Sequence, residues 1–388
     1  MAVGAGLATA ARAAALPLTV GAYYYAWYGP NGGLPWTPGA LRPGLDPPEL
    51  PLLGEYDSRD PAVIAQHYAW AQEYGVDVFF CSWHGPGGYD DVTIRDDLLP
   101  SPARGPTKIA LLYESLQRLG IGSDARIQIT DASVATMVSD FDYIARTYFF
   151  DPGYYRIDGR PVVILYASRI YRGDVAGLIH AVRTHLIDTY GIDPYLIGDE
   201  VDWDLPPDPA RIKLYDAITG YTMYSRTQQP GWPSQTEWLE RMDDRVRQFR
   251  RVAAEEGVAF VPGALPGFDS QAIRPGSDEW VLPRSLGPSD PQNSLFAATL
   301  SLAGGLVDPS LRLLTVTSWN EWYEDTQIEP TADGPPLTSG PDALTQGYAF
   351  APYGFSFLEL LQQFKATFED DAPAASRALA PPTRPAAV

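Results

Sequence analysis

Two glutamates three residues apart, Glu321 and Glu324, sit in the aromatic-rich segment Trp319-Asn320-Glu321-Trp322-Tyr323-Glu324, directly after the run Leu314-Thr315-Val316-Thr317-Ser318. Where a buried strand opens into a loop, two such carboxyl groups can face one cavity. Aromatic walls from Trp322 and Tyr323 would raise the pKa of one, keeping an acid protonated beside a charged base. Glycosidic cleavage needs only this pair: one group protonates the leaving oxygen and the other serves as base or nucleophile. The competing reading is a pair of solvated loop acids or salt-bridge partners, and position alone leaves both open. Further carboxylates stand at the ends of strand-like runs: Glu114, Asp199 and Glu200.

Other chemistries lose ground by elimination. The sequence holds no G-x-x-x-x-G-K-[ST] loop, no G-x-G-x-x-G fingerprint and no G-x-S-x-G elbow. Its four histidines, His67, His84, His180 and His185, form no H-E-x-x-H pair, so no metal site and no cofactor are expected. The single cysteine, Cys81, excludes an intramolecular disulfide and reads as a buried strand residue in Val76-Asp77-Val78-Phe79-Phe80-Cys81 rather than a nucleophile.

The elements that must position the acids are legible as alternating strand-like and helix-like runs. Strands are expected at 19–27, 76–83, 108–114, 161–167, 194–198, 217–223, 258–265 and 311–318. Helices are expected at 61–74, 133–150, 175–190, 234–256 and 355–368, the first opened by Asp60-Pro61 and closed by Gly75. Eight strands with near-continuous apolar character point to an α/β fold, a (β/α)₈ TIM barrel in a single domain over 18–370; a doubly wound open sheet is the alternative. Pro/Gly-rich stretches at 29–53, 85–107, 268–288 and 329–354 nearly all follow strands and so crowd one rim. Residues 1–17 form an Ala-rich segment and 371–388 an Ala/Pro-rich tail expected to be disordered.

Composition narrows the partner. The 388 residues carry 48 acidic against 28 basic side chains, a formal net charge of −20, which repels nucleic acid, anionic membranes and polyanions. A neutral oligo- or polysaccharide fits best, and ten Trp with 23 Tyr supply rings that stack on pyranose faces. No stretch matches a transmembrane helix. Without a basic n-region, residues 1–17 do not read as a complete signal peptide. A trimmed signal upstream would imply secretion or a periplasmic location, and its lack a cytoplasmic one.

The segment Trp319-Asn320-Glu321-Trp322-Tyr323-Glu324-Asp325-Thr326-Gln327-Ile328-Glu329-Pro330 resembles the signature of glycoside hydrolase family 99, the endo-α-mannosidase and endo-α-1,2-mannanase family. Further segments match in order: Tyr24-Tyr25-Ala26-Trp27-Tyr28-Gly29, Tyr56-Asp57-Ser58, Gly75 to Phe79 running into Ser82-Trp83-His84-Gly85-Pro86-Gly87, and Lys108-Ile109-Ala110 leading to Glu114. The resemblance implies retaining cleavage in which the sugar's own 2-hydroxyl attacks the anomeric carbon, giving a 1,2-anhydro sugar. Glu321 would then be the base on that hydroxyl and Glu324 the acid and later the base. Tyr25, Trp27 and Trp83 match aromatic subsite motifs, with barrel packing as their alternative role. Glu114, Tyr221, Asn320 and Trp322 complete the expected substrate-binding set, Asn320 having strand capping as an equal alternative. Tyr323, Asp325 and His84 depart from the family's usual His, Gly and Trp, which bears on the choice of sugar. A glycosidase with a direct carboxylate nucleophile and a noncatalytic glycan-binding barrel are the rival readings.

Overall fold

A computed structural model describes residues 16–36, 49–223, 234–274, 276–277, 279–334, 346–348 and 350–375, with side chains to Glu369. The N-terminal segment to residue 15, the loop parts 37–48 and 335–345, and residues 376–388 of the expected tail lie outside the described residues; the first five residues of that tail, 371–375, instead end the last helix.

Among the described residues eight parallel strands make up the barrel sheet: β1 (Thr19–Tyr24), β2 (Val78–Trp83), β3 (Lys108–Tyr113), β4 (Arg160–Leu165), β5 (Tyr195–Asp199), β6 (Ala217–Thr219), β7 and β8 (Leu313–Val316), with the two-residue stretch Arg156–Ile157 antiparallel to β4. Strand β7 comes in two pieces, Ala259–Phe260 and Gly263–Ala264. Its first piece pairs with β6 and its second with β8, while β1 pairs with both β8 and β2. The pairing therefore runs round a barrel, with Pro262, which has no N–H to donate, at the break in β7. Its carbonyl still accepts from the Thr315 N–H at 2.9 Å. The TIM-barrel-like α/β architecture expected from the strand count is the one observed.

Around it lie α1 (Pro61–Tyr74), α2 (Asp131–Ile144), α3 (Val175–Tyr190), α4 (Gln235–Glu255), α5 (Ser294–Gly304) and α6 (Ser356–Ala375). Helix α1 has the bounds its sequence implied. Asp60 accepts the Ala62 N–H at 2.8 Å, Pro61 fills the first turn, and Gly75 closes the helix at φ 87° in the left-handed region. Helix α5 was not anticipated. Its sequence Ser-Leu-Phe-Ala-Ala-Thr-Leu-Ser-Leu-Ala-Gly alternates small and apolar residues with no charged face, so no 3.6-residue period stands out. The stretch 85–107, read as loop, contains short helical turns at Tyr89–Val92, Thr93–Leu98 and Pro102–Arg104.

The strands end earlier than their apolar runs. β1 stops at Tyr24 because the Tyr25 N–H turns to the Asn320 side chain at 2.7 Å instead of a neighbouring strand. Inside the barrel, Tyr23 packs on Phe80 and edge-on against Tyr221, and Gly21 leaves the space that the Phe80 ring fills. A Cβ at position 21 would come within 2.2 Å of Phe80 Cε2. Gly21→Ala is therefore expected to destabilise the fold by about 1–3 kcal/mol through overpacking. Urea denaturation checks this, and an unchanged midpoint would show that the ring has room to move.

Candidate active site

The C-terminal ends of the strands bring together residues far apart in the chain. Tyr25 and Trp27 follow β1, His84 follows β2, Glu114 follows β3, Tyr166 follows β4, Tyr221 follows β6, and Glu321 with Glu324 follow β8. This is the rim on which barrel enzymes build their sites. Tyr25 and Trp27 lie on one side, their ring centroids 4.6 Å apart, and the Tyr25 and Tyr221 hydroxyls are hydrogen-bonded to each other. Trp27 also meets the ring of His84 at 5.7 Å and that of Tyr323 at 6.3 Å.

The loop that carries the glutamates is held from several directions. The Ser318 hydroxyl accepts the Glu321 N–H at 2.8 Å, and the Tyr28 hydroxyl donates to the Asn320 carbonyl while accepting the Trp322 N–H. Asn320 is wholly buried. Its side-chain carbonyl accepts the Tyr25 N–H, and its amide donates to the Tyr25 carbonyl at 3.0 Å and to the Tyr56 hydroxyl at 3.1 Å. With both amide hydrogens used, Asn320 ties the end of β1 to the end of β8, which is the strand-capping role rather than a grip on a sugar hydroxyl.

Glu321 is only 2% exposed, and one carboxyl oxygen accepts the Tyr323 N–H at 2.9 Å. Burial lifts its pKa well above the usual carboxylate range and the nearby charge of Glu324 lifts it further, against the Tyr323 N–H, which lowers it. Glu324 is half-buried and ion-paired with Arg274 at 3.3 Å. Arg274 lies in the loop after β7, and nothing in its sequence surroundings marked it. Tyr25 is raised by burial first, then by Tyr221, Glu321, Glu114 and Glu324, so these groups share one electrostatic environment. Tyr166, which sequence reading also missed, is raised by burial and by Glu324.

Glu114 is buried, accepts the Ser82 hydroxyl at 2.6 Å and is raised chiefly by burial. His84 lies 3.1 Å from Asp90. Burial pulls its pKa down, but the bond to Asp90 and the charge of Glu114 outweigh that and raise it. Tyr323 reaches across the rim to the Pro35 carbonyl, and burial with Glu321 pushes it up to about 12. Asp325 sits at φ 54°, the left-handed region where glycine is at ease and Asp is among the tolerated residues, and its carboxylate is held by Arg284.

Two expected subsite residues are placed elsewhere. Strand alternation turns Trp83 out of the barrel, because its neighbours Phe80 and Ser82 face inward. It is fully buried beneath α2, its indole N–H donating to Asp91 at 2.8 Å and its ring stacked 6.2 Å from Tyr143. Trp322 is 2% exposed, donates to Glu329 at 2.8 Å and meets Trp36 at 6.2 Å, so it supports the loop from behind. Asp199 and Glu200 are structural. Asp199 accepts the Ala167 and Tyr221 N–H groups and pairs with Arg169, while Glu200 pairs with Arg211 at 2.9 Å. Cys81 is buried in β2, its thiol pushed up by burial.

A family model described as Glycosyl hydrolase family 99 matches residues 48–334, well over half the chain. The chain belongs to glycosyl hydrolase family 99. Among family relatives, it is 26% identical to the glycoprotein endo-alpha-1,2-mannosidase of Xenopus laevis over 292 residues, 72% of this chain and 57% of the relative. It is 24% identical to the human glycoprotein endo-alpha-1,2-mannosidase-like protein over 338 residues, covering 79% of this chain and 67% of that one. The chain thus spans little more than half the length of the Xenopus relative. In fold it resembles the GH99 endo-alpha-mannosidase from Bacteroides thetaiotaomicron, with a TM-score of 0.66 at 20% identity over 92% of this chain and 98% of that one. A glycoside hydrolase-like protein gives 0.65, also at 20% identity, over 93% and 97%.

The family-99 site carries a stability cost. Between the ordinary glutamate value of 4.5 and its raised folded value, Glu321 binds more protons folded than unfolded, so its contribution to stability falls as pH rises. Glu321→Gln, which removes that penalty and can still accept the Tyr323 N–H, is expected to melt above wild type at neutral pH. The gap should close in acid, below the ordinary glutamate range. Melting curves at several pH values check it, and a variant that melts no higher at neutral pH would contradict the burial cost.

Proposed function

We propose that this chain is a retaining α-glycoside hydrolase acting on mannose-containing glycans, in the manner of endo-α-mannosidases and mannanases. The observation that carries the reading is that Glu321 and Glu324 lie together at the strand-end rim beside Tyr25 and Tyr221, close enough for the charge of Glu324 to raise the pKa of Glu321. Membership of family 99 and the endo-alpha-1,2-mannosidase activity that its Xenopus relative is named for support the substrate class.

In this reading Glu321 removes the proton of the sugar 2-hydroxyl, whose oxygen attacks the anomeric carbon to give a 1,2-anhydro sugar. Glu324 gives a proton to the departing glycosidic oxygen and then, as a carboxylate, takes one from the water that opens the three-membered ring, while Glu321 returns its proton to the 2-oxygen. A raised pKa makes Glu321 the stronger base once ionised, and the positive charge of Arg274 favours that ionised form. Glu324 must take up a proton to act as acid, so its bond to Arg274 yields as the glycosidic oxygen arrives. Tyr25 and Trp27 offer ring faces to the sugar, Glu114 and Tyr221 polar atoms.

The sign of the pH dependence follows. Below its raised pKa Glu321 is protonated and cannot act as base, so the acidic limb of kcat/KM is expected above the usual glutamate range of roughly 4–4.5. Glu321→Gln and Glu324→Gln should each lower kcat/KM on α-mannan oligosaccharides by about 10²–10⁴-fold. Turnover left unchanged in either variant would end the assignment. NMR of the first product should show the α-anomer, and initial inversion would exclude the anhydro-sugar route. A trapped glycosyl ester on a carboxylate would assign a direct nucleophile instead.

A further inference from the structure

Behind the proposed base lies a buried polar cluster that the reaction does not use directly. Glu329 is fully buried in the loop after β8. One of its oxygens lies 2.9 Å from His67 Nε2, and the other accepts the Tyr56 hydroxyl at 2.9 Å and the Trp322 indole N–H at 2.8 Å. The Tyr56 hydroxyl in turn accepts from the Asn320 amide. His67, from α1, is itself fixed by the Tyr24 hydroxyl 2.9 Å from Nδ1. One carboxyl group therefore anchors both residues that flank Glu321, Trp322 directly and Asn320 through Tyr56.

We infer that Glu329 is the positioning residue of this site, setting the direction of the Glu321 carboxyl through its two chain neighbours. Burying this much polarity is costly unless every member is bonded, and a fully satisfied network in a low-dielectric interior holds its members rigidly. Rigidity is what a base needs, since its reach to a hydroxyl proton is confined to about 2.6–3.2 Å. Its link to Glu321 is this chain of hydrogen bonds, through Trp322 and through Tyr56 to Asn320.

The inference rests on the reading of Glu321 as the base on the 2-hydroxyl, and the test separates the two. Glu329→Ala, Glu329→Gln, Tyr56→Phe and Trp322→Phe would be assayed on an α-mannan oligosaccharide and on an α-mannobiosyl fluoride, whose leaving group needs little protonation and so bypasses the acid role of Glu324 in the first step. A misplaced base is expected to cost Glu329→Ala about 10²-fold in kcat on both substrates with KM unchanged, and each Phe variant about tenfold. Gln keeps an oxygen for both Tyr56 and Trp322, while its amide can meet His67 in the other tautomer. Glu329→Gln should therefore retain activity within a few-fold. If Glu329→Ala does not fold, the two Phe variants carry the test, with melting temperatures measured for all. Losses confined to KM, losses absent on the fluoride, or a folded Glu329→Gln as inactive as Glu329→Ala would overturn the positioning role. If Glu321→Gln turned over the fluoride at the wild-type rate, it would be the base assignment that falls.

Discussion

The hydrogen bonds that Asn320 makes to both backbone groups of Tyr25 clamp the end of β1 to the end of β8, where the first and last strands meet. Everything at the rim is arranged from this seam. It fixes Tyr25 beside the loop that carries Glu321, and its third bond, to Tyr56, carries the restraint into the interior. An amide with every hydrogen spent cannot turn toward a ligand, so the most conspicuous polar residue beside the acids is part of the frame.

Electrostatics follow from that frame. A carboxyl group so enclosed is raised because water is kept from it, and a second carboxylate in the same hollow raises it again. The half-buried Glu324 has Arg274 beside it instead. Two chemically identical side chains three residues apart thus occupy different environments: the raised one, Glu321, must lose its proton before it can act as base, and Glu324 must exchange Arg274 for a proton before it can act as acid. Elsewhere around the rim the charges are neutralised locally, Asp199 by Arg169 and Glu200 by Arg211, which leaves the hollow itself as the place where acid groups crowd.

Much of this was legible in the sequence. Strand runs bounded by helix caps placed the barrel, and helix α1 could be bounded to the residue because Asp60, Pro61 and Gly75 each have a single physical reason to be there. The acids at the end of β8 were legible from type and position. What escaped was side-chain direction and long-range partnership. Trp83 matched a motif, but alternation along β2 sends it outward beneath α2, and the strand boundaries needed to count that alternation are the part of an apolar run least well marked. Trp322 stands between the two acids yet turns behind them to reach Glu329. Arg274, Tyr166 and His67 gave no local signal, since the partners that tie them to the site, Glu324, Tyr221 and Glu329, are separated from them by tens to hundreds of residues. Asp325 shows the reverse case: a departure from the family's glycine that the backbone explains, because Asp tolerates the left-handed conformation and gains Arg284 as partner.

The most direct measurement is a crystal structure of the Glu324→Gln variant with an α-mannan oligosaccharide bound. A mannose ring against Tyr25 and Trp27 is expected, its 2-hydroxyl within hydrogen-bond reach of the Glu321 carboxylate and its glycosidic oxygen facing position 324. An oligosaccharide seated away from this hollow, or one whose 2-hydroxyl points away from Glu321, would contradict it.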